Sequence, residues 1–167
     1  IIHIVTNTIF TFAIYKLFHT FFNEDVYDRK IEKLSYLLYF VSSSALIFIT
    51  RIPLIILIFT VSFLFIISLN YKSSIQKKII VSSLIYAILF VIEILVSVSI
   101  GFIDISAVNS STFNSVVGLI LIRTITMIVA YLLNRYKSSS RKDFQIPKIY
   151  YFAFIIILFG TLYLYRV

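Results

Sequence analysis

The sequence predicts an all-α, polytopic integral membrane bundle of six transmembrane helices with its N-terminus outside. Three observations predict it. Apolar residues make up 60% of the 167 and charged residues 13%, against roughly 45–50% and about 25% in a globular domain. The apolar residues fall in six runs long enough to cross a hydrocarbon core at about 20 residues per crossing. The basic residues gather in alternate connectors between those runs, as the positive-inside rule requires. A chain of this length holds six crossings and no separate soluble domain.

The first span is Ile1 to about Phe22. It is the most polar, with His3, Thr6, Asn7 and Thr8 near its start and Lys16 and His19 near its end. His3 and Asn7 are four apart and are expected on one helix face. No small-residue cleavage site follows this run, so it reads as a span and not as a signal peptide. The connector NEDVYDRKIEK leads to the second span, 34–50, where Ser42, Ser43, Ser44 and Ala45 permit close helix approach. Arg51-Ile52-Pro53 is a short turn. Pro53 suits the first turn of the third span, 53–70, because its missing N–H would be unpaired there anyway. The fourth span, 79–103, follows a basic serine-bearing turn with Lys72, Lys77 and Lys78. The loop 104–115 leads to the fifth span, 116–133. A basic segment, NRYKSSSRKDFQIPK, precedes the sixth, 149–165, whose tyrosines at both ends suit membrane interfaces.

Of the fifteen Lys and Arg residues, eleven lie in the connectors after spans one, three and five. Only Arg51 and Arg166 lie in the connector after span two and at the C-terminal end. Those odd-numbered connectors are therefore expected to be cytoplasmic. The net charge of +8 reads as orientation and contact with anionic lipid headgroups, not as a nucleic-acid surface.

Two charges lie inside spans. Glu93 is expected roughly 15 Å, and Arg123 roughly 10 Å, from the outer ends of spans four and five at about 1.5 Å per residue. An ion pair between them would offset part of the cost of burial. It would serve either to fix helix packing or to take part in ligand binding and switching. The candidate ligand or signal residues are Glu93, Arg123, Arg51, Asp104, His3 and Asn7, all on the outer half or face. No catalytic set is legible. Cysteine is absent, and with it thiolate chemistry and disulfides. Two histidines without a suitable serine or carboxylate motif make no protease, three glycines make no phosphate loop, and no metal site is expected.

The run from about Tyr15 onward resembles the N-terminal membrane region of Agr-type, GHKL-class sensor histidine kinases of Gram-positive bacteria. The residues that carry the resemblance are YKLFHTFF leading to KIEKLSYLLYF, the turn RIPLIILIF, LNYKSSIQKKII with LIYAILFVIEILVSVSIG, and the late IPKIYYFAFIIILFGTLYLY. These motifs are hydrophobic and loosely defined. Arg51 departs from the family pattern, which more usually has an uncharged polar residue before the Ile-Pro. The resemblance implies a multi-pass receptor of the bacterial plasma membrane that detects a secreted peptide pheromone at its outer face. It implies a homodimer in the full-length protein, and a cytoplasmic kinase module that uses ATP and Mg and phosphorylates a response regulator. This stretch carries no cofactor site of its own. With six spans Val167 would lie outside, so the chain reads as a fragment that lacks one further span and the kinase.

An alternative reading is a six-span substrate-binding membrane subunit of a vitamin uptake transporter. Such subunits are also small and basic and have no ATPase of their own. A structural or accessory membrane protein with no ligand is the third possibility.

Overall fold

The computed structural model describes residues 2–22, 26–49, 53–103 and 113–139. They form five helices: α1 (Ile2–Phe22), α2 (Arg29–Ile49), α3 (Pro53–Ser68), α4 (Ile75–Ile103) and α5 (Phe113–Ser139). Each of the first five runs lies in one helix, within a residue or two at its ends. The sixth run, 149–165, lies outside the described residues, as do Arg51 and Asp104. Two of the helices are long and apolar enough to cross a membrane, α4 over Ile75–Ser99 and α5 over Val116–Arg135. In α3 the apolar stretch is shorter, Ile55–Ser68.

Three helices, α2, α4 and α5, begin earlier than the apolar runs do, and caps explain the first two. Asp28 caps α2: its carboxylate accepts the N–H of Lys30 at 2.7 Å, and its carbonyl accepts that of Glu32 at 3.0 Å. Ser74 caps α4: its hydroxyl accepts the N–H of Lys77 at 3.4 Å and its carbonyl that of Lys78 at 3.0 Å. Asp and Ser satisfy N–H groups that a helix start leaves unpaired. The polar stretches expected to be connectors thus contribute helical turns, and Glu32, Lys77 and Lys78 belong to helices.

Successive helices run up and down. Pairs along α1 and α2 are antiparallel, from Asn7 beside Ser43 to His19 beside Glu32. The pairs Tyr39 with Phe59 and Ser82 with Leu64 show the same for α2 with α3 and α3 with α4. By contrast Phe10 meets Arg123 and Thr20 meets Asn134, so α1 and α5 run parallel. The helices pack in a ring in chain order, closed by α5 against α1, and α1 also touches α4.

The core is a stripe on each helix. On α4 it passes through Lys78, Val81, Ser82, Ile85, Leu89, Ile92 and Val96, at the three- and four-residue spacing of one helix face. On α1 it includes Asn7, Phe10, Ile14, Leu17 and Phe18. Small residues line the contact with it from α5, where Gly118, Thr126 and Ala130 are buried. Small side chains let two backbones approach closely. The outside carries large apolar side chains instead, such as Leu34, Leu38 and Val41 on α2 and Leu95 and Val98 on α4. Thr6, Asn7, Glu32, Ser68, Ser82 and Thr126 point the other way, into the bundle.

Candidate functional site

Two polar clusters lie at opposite ends of α1. The first is at its C-terminal end, where the basic connectors meet. The α1–α2 and α3–α4 connections join through one antiparallel bridge between Val26 and Tyr71, with the Tyr27 N–H donating to the Asn70 carbonyl at 2.9 Å. That bridge drives Tyr71 into the bundle, fully buried, between Phe18 at 5.7 Å and Phe22 at 4.7 Å, ring to ring. Its hydroxyl donates to Glu32 Oε1 at 2.7 Å, and His19 Nε2 lies 2.7 Å from the same oxygen. Since the Tyr71 proton goes to Glu32, Tyr36 donates to Tyr71 across 2.9 Å. Tyr15 packs on His19 at 4.1 Å and edge-on to Tyr36 at 5.3 Å.

Glu32 is 3% exposed. A buried carboxylate is tolerable when hydrogen bonds and a basic partner surround it, and here Tyr71 and His19 supply them. Burial pushes the Tyr71 phenol far above its ordinary value. The charge and hydrogen bond of Tyr36, and those of Glu32, push it the same way. Around the cluster, Lys72 and Lys78 lie over the Tyr27 ring and Lys77 over Phe22, at 5.5–6.0 Å. Arg29, Lys30 and Lys33 are exposed beside them.

The sequence did not single out this cluster. The signal that could have found it is symmetry about a hairpin. In an antiparallel pair of helices, His19 and Glu32 stand at matching distances from the turn between them, and an acid in a basic connector needs a partner.

The second cluster is toward the other end. Asn7 is 3% exposed. Its Nδ2 donates to Ser44 Oγ at 2.7 Å, Ser43 Oγ at 2.9 Å and the Phe40 carbonyl at 3.3 Å. The serine run expected to permit close approach therefore also accepts hydrogen bonds. A turn further along α1, Phe10 lies under the guanidinium of Arg123, 3.6 Å from the ring centroid. Arg123 Nε is buried without a hydrogen-bond partner. Its charge interacts with Tyr39 of α2 and with Glu93.

The expected Glu93–Arg123 ion pair does not form, since the two do not come within 4 Å. The reason is the direction of each face. The buried stripe of α4 runs through Ile92 and Val96, which leaves Glu93 exposed. Arg123 turns inward to α1. His3 and Asn7 lie four apart in α1, with Asn7 buried and His3 exposed one turn nearer the helix start. Of the six candidates the structure thus brings Arg123 of α5 against Phe10, about one turn along α1 from Asn7. Among the described residues no group of three or more His, Cys, Asp or Glu gathers to hold a metal ion. No known protein family, curated protein or solved structure matches the chain.

Proposed function

We propose that this chain is the membrane sensor region of a quorum-sensing type, two-component histidine kinase, with six spans, its N-terminus outside and a secreted peptide as its signal. The resemblance carried by motifs in the first four spans and the late IPKIYY stretch motivates the reading. The structural observation that carries it is that α1 and α2 hold both polar clusters, Asn7 with Ser43 and Ser44 at one end and His19 with Glu32 at the other. A ligand that favours one arrangement of these two helices at the outer end would alter the contacts at the basic end. Only such a difference in affinity between arrangements can transmit a signal.

Two further observations support a membrane location and this orientation. Exposed Ile, Leu and Val side chains surround the bundle on a scale that soluble monomers rarely show. Lys72, Lys77 and Lys78 share one end with Arg29, Lys30 and Lys33, as a cytoplasmic face requires. In the full-length protein the signal would pass to an ATP- and Mg-dependent kinase module, and from it to a response regulator, in a homodimer.

The chain has no cysteine, so single cysteines report topology directly. A cysteine at Ser110 is expected to react with a membrane-impermeant maleimide in intact cells, and one at Ser74 only after permeabilisation. The opposite pattern would overturn the orientation. Function is tested with membranes that contain the product of the complete reading frame and labelled ATP. Histidine autophosphorylation that conditioned medium from the source strain changes is the expected result. A reading frame without kinase motifs, in cells whose vitamin uptake depends on this gene, would replace the sensor with the transporter subunit.

A further inference from the structure

Arg123 brings a full positive charge into the helix bundle, and no carboxylate among the described residues pairs with it. Its guanidinium carbon lies 3.6 Å from the centre of the Phe10 ring, and its Nε is buried with no acceptor. Tyr39, which is 1% exposed, approaches from α2 closely enough to interact with the charge. Glu93, on the neighbouring helix, is exposed and acts on this charge only from beyond ion-pair distance.

Arg123 is half-buried and its Nε–H is buried without an acceptor, which is costly, and a planar anion with two acceptor oxygens matches the guanidinium fork. Contact with the Phe10 ring holds the guanidinium against α1. Arg123 lies roughly 10 Å along α5 from Val116 at about 1.5 Å per residue, with apolar side chains around it. A small hydrophilic anion would be poorly matched to that setting, and a carboxylate on an apolar body fits it.

We propose that Arg123 is the anchor for a carboxylate of an apolar peptide, either an acidic side chain or a free C-terminus, with Phe10 and Tyr39 beside it. This rests on the sensor reading, in which the Asn7–Arg123 half of the bundle meets the ligand.

The test uses the full chain in nanodiscs of phosphatidylcholine, with N-decanoyl-leucine as the probe and its carboxamide as the neutral control. Thermal unfolding is followed by circular dichroism. The carboxylate is expected to raise the midpoint in a concentration-dependent way at concentrations about tenfold lower than the amide needs, the ratio that a charge-assisted hydrogen bond supplies. Arg123→Gln is expected to abolish that preference, and Arg123→Lys to keep only part of it, because lysine keeps the charge and loses the fork. Equal responses to the acid and the amide in the unsubstituted chain would overturn the proposal without need of a variant. So would an acid preference that appears only in Glu93→Gln, which would make Glu93 the natural counter-ion in the membrane. Loss of the preference when phosphatidylglycerol is added would assign the site to a lipid phosphate instead, and would also overturn it. If carboxylate binding fails while the full-length receptor still answers conditioned medium, only this inference falls. If the receptor answers nothing while the acid preference holds, the sensor reading falls and the anion site stands.

Discussion

At the scale of single residues, the hydrogen bonds to Glu32 are the most consequential in the described structure. Tyr71 keeps its proton while folded, because burial and its partners hold its phenol far above the ordinary range. Unfolded, it titrates at about 10. The folded chain therefore binds more protons than the unfolded one above about pH 10, and this part of the stability is full below that pH and falls as pH rises. Tyr71→Phe is expected to make the alkaline loss of unfolding midpoint shallower, at a cost of about 1 kcal/mol at neutral pH. An unchanged alkaline slope would show that Tyr71 does not control it. Glu32→Ala leaves His19 and Tyr71 without their acceptor and is expected to cost about 2–3 kcal/mol. The measurement is unfolding in mild detergent.

The residue scale also shows how far the sequence could be read. Asn7 and Arg123 stood out because polar groups are rare inside apolar runs. Whether Arg123 would face Glu93 or Phe10 was not legible, because that depends on which faces of α4 and α5 meet other helices. Glu32 and Tyr71 gave no sign of burial. They sit among charged and serine residues that resemble an ordinary solvated connector.

At the scale of elements, α1 packs against α2, α4 and α5, most extensively against α5. Its contact with α5 rests on Ala13 from one side and Thr126 and Ala130 from the other, each at most 1% exposed. Ala130→Leu overfills that seam and is expected to cost about 1–3 kcal/mol, whereas Leu132→Ala, on the exposed side of the same helix, is expected to cost far less. Similar losses for both would mean that α5 does not pack through this face. The periodicity of α1 could not show its buried face from hydrophobicity, because the helix is apolar nearly all round. The side that faces protein is marked instead by its polar and small residues, Thr6, Asn7 and Ala13. The early starts of α2 and α4 were legible from Asp28 and Ser74, which are strong helix caps. Apolar runs alone do not reveal them, because the first turns of both helices are polar.

At the scale of the whole molecule, the parallel course of α1 and α5 is the feature to test. Thr20 Oγ1 and Asn134 Oδ1 lie 3.4 Å apart at the basic end. In the cysteine-free chain, the double variant Thr20→Cys with Asn134→Cys is expected to form a disulfide on mild oxidation. A pair placed at Thr20 and Val117 is expected not to, because a parallel course puts those positions at opposite ends. The reverse result would make the two helices antiparallel and undo the ring order.

By itself the sequence determined the helical class, the positions of the described helices and the grouping of basic residues in alternate connectors. These follow from local properties: the length of apolar runs, the residues that interrupt them, and charge counts between them. Only the tertiary structure decided which polar residues meet. The bridge between Val26 and Tyr71 buries Tyr71 on Glu32, and the rotation of α5 against α1 lays Arg123 on Phe10, outside ion-pair distance of Glu93. In helices apolar on almost every side, hydrophobicity does not fix rotation about the axis. Packing of small residues and satisfaction of buried polar groups fix it, and both depend on neighbours distant in the chain.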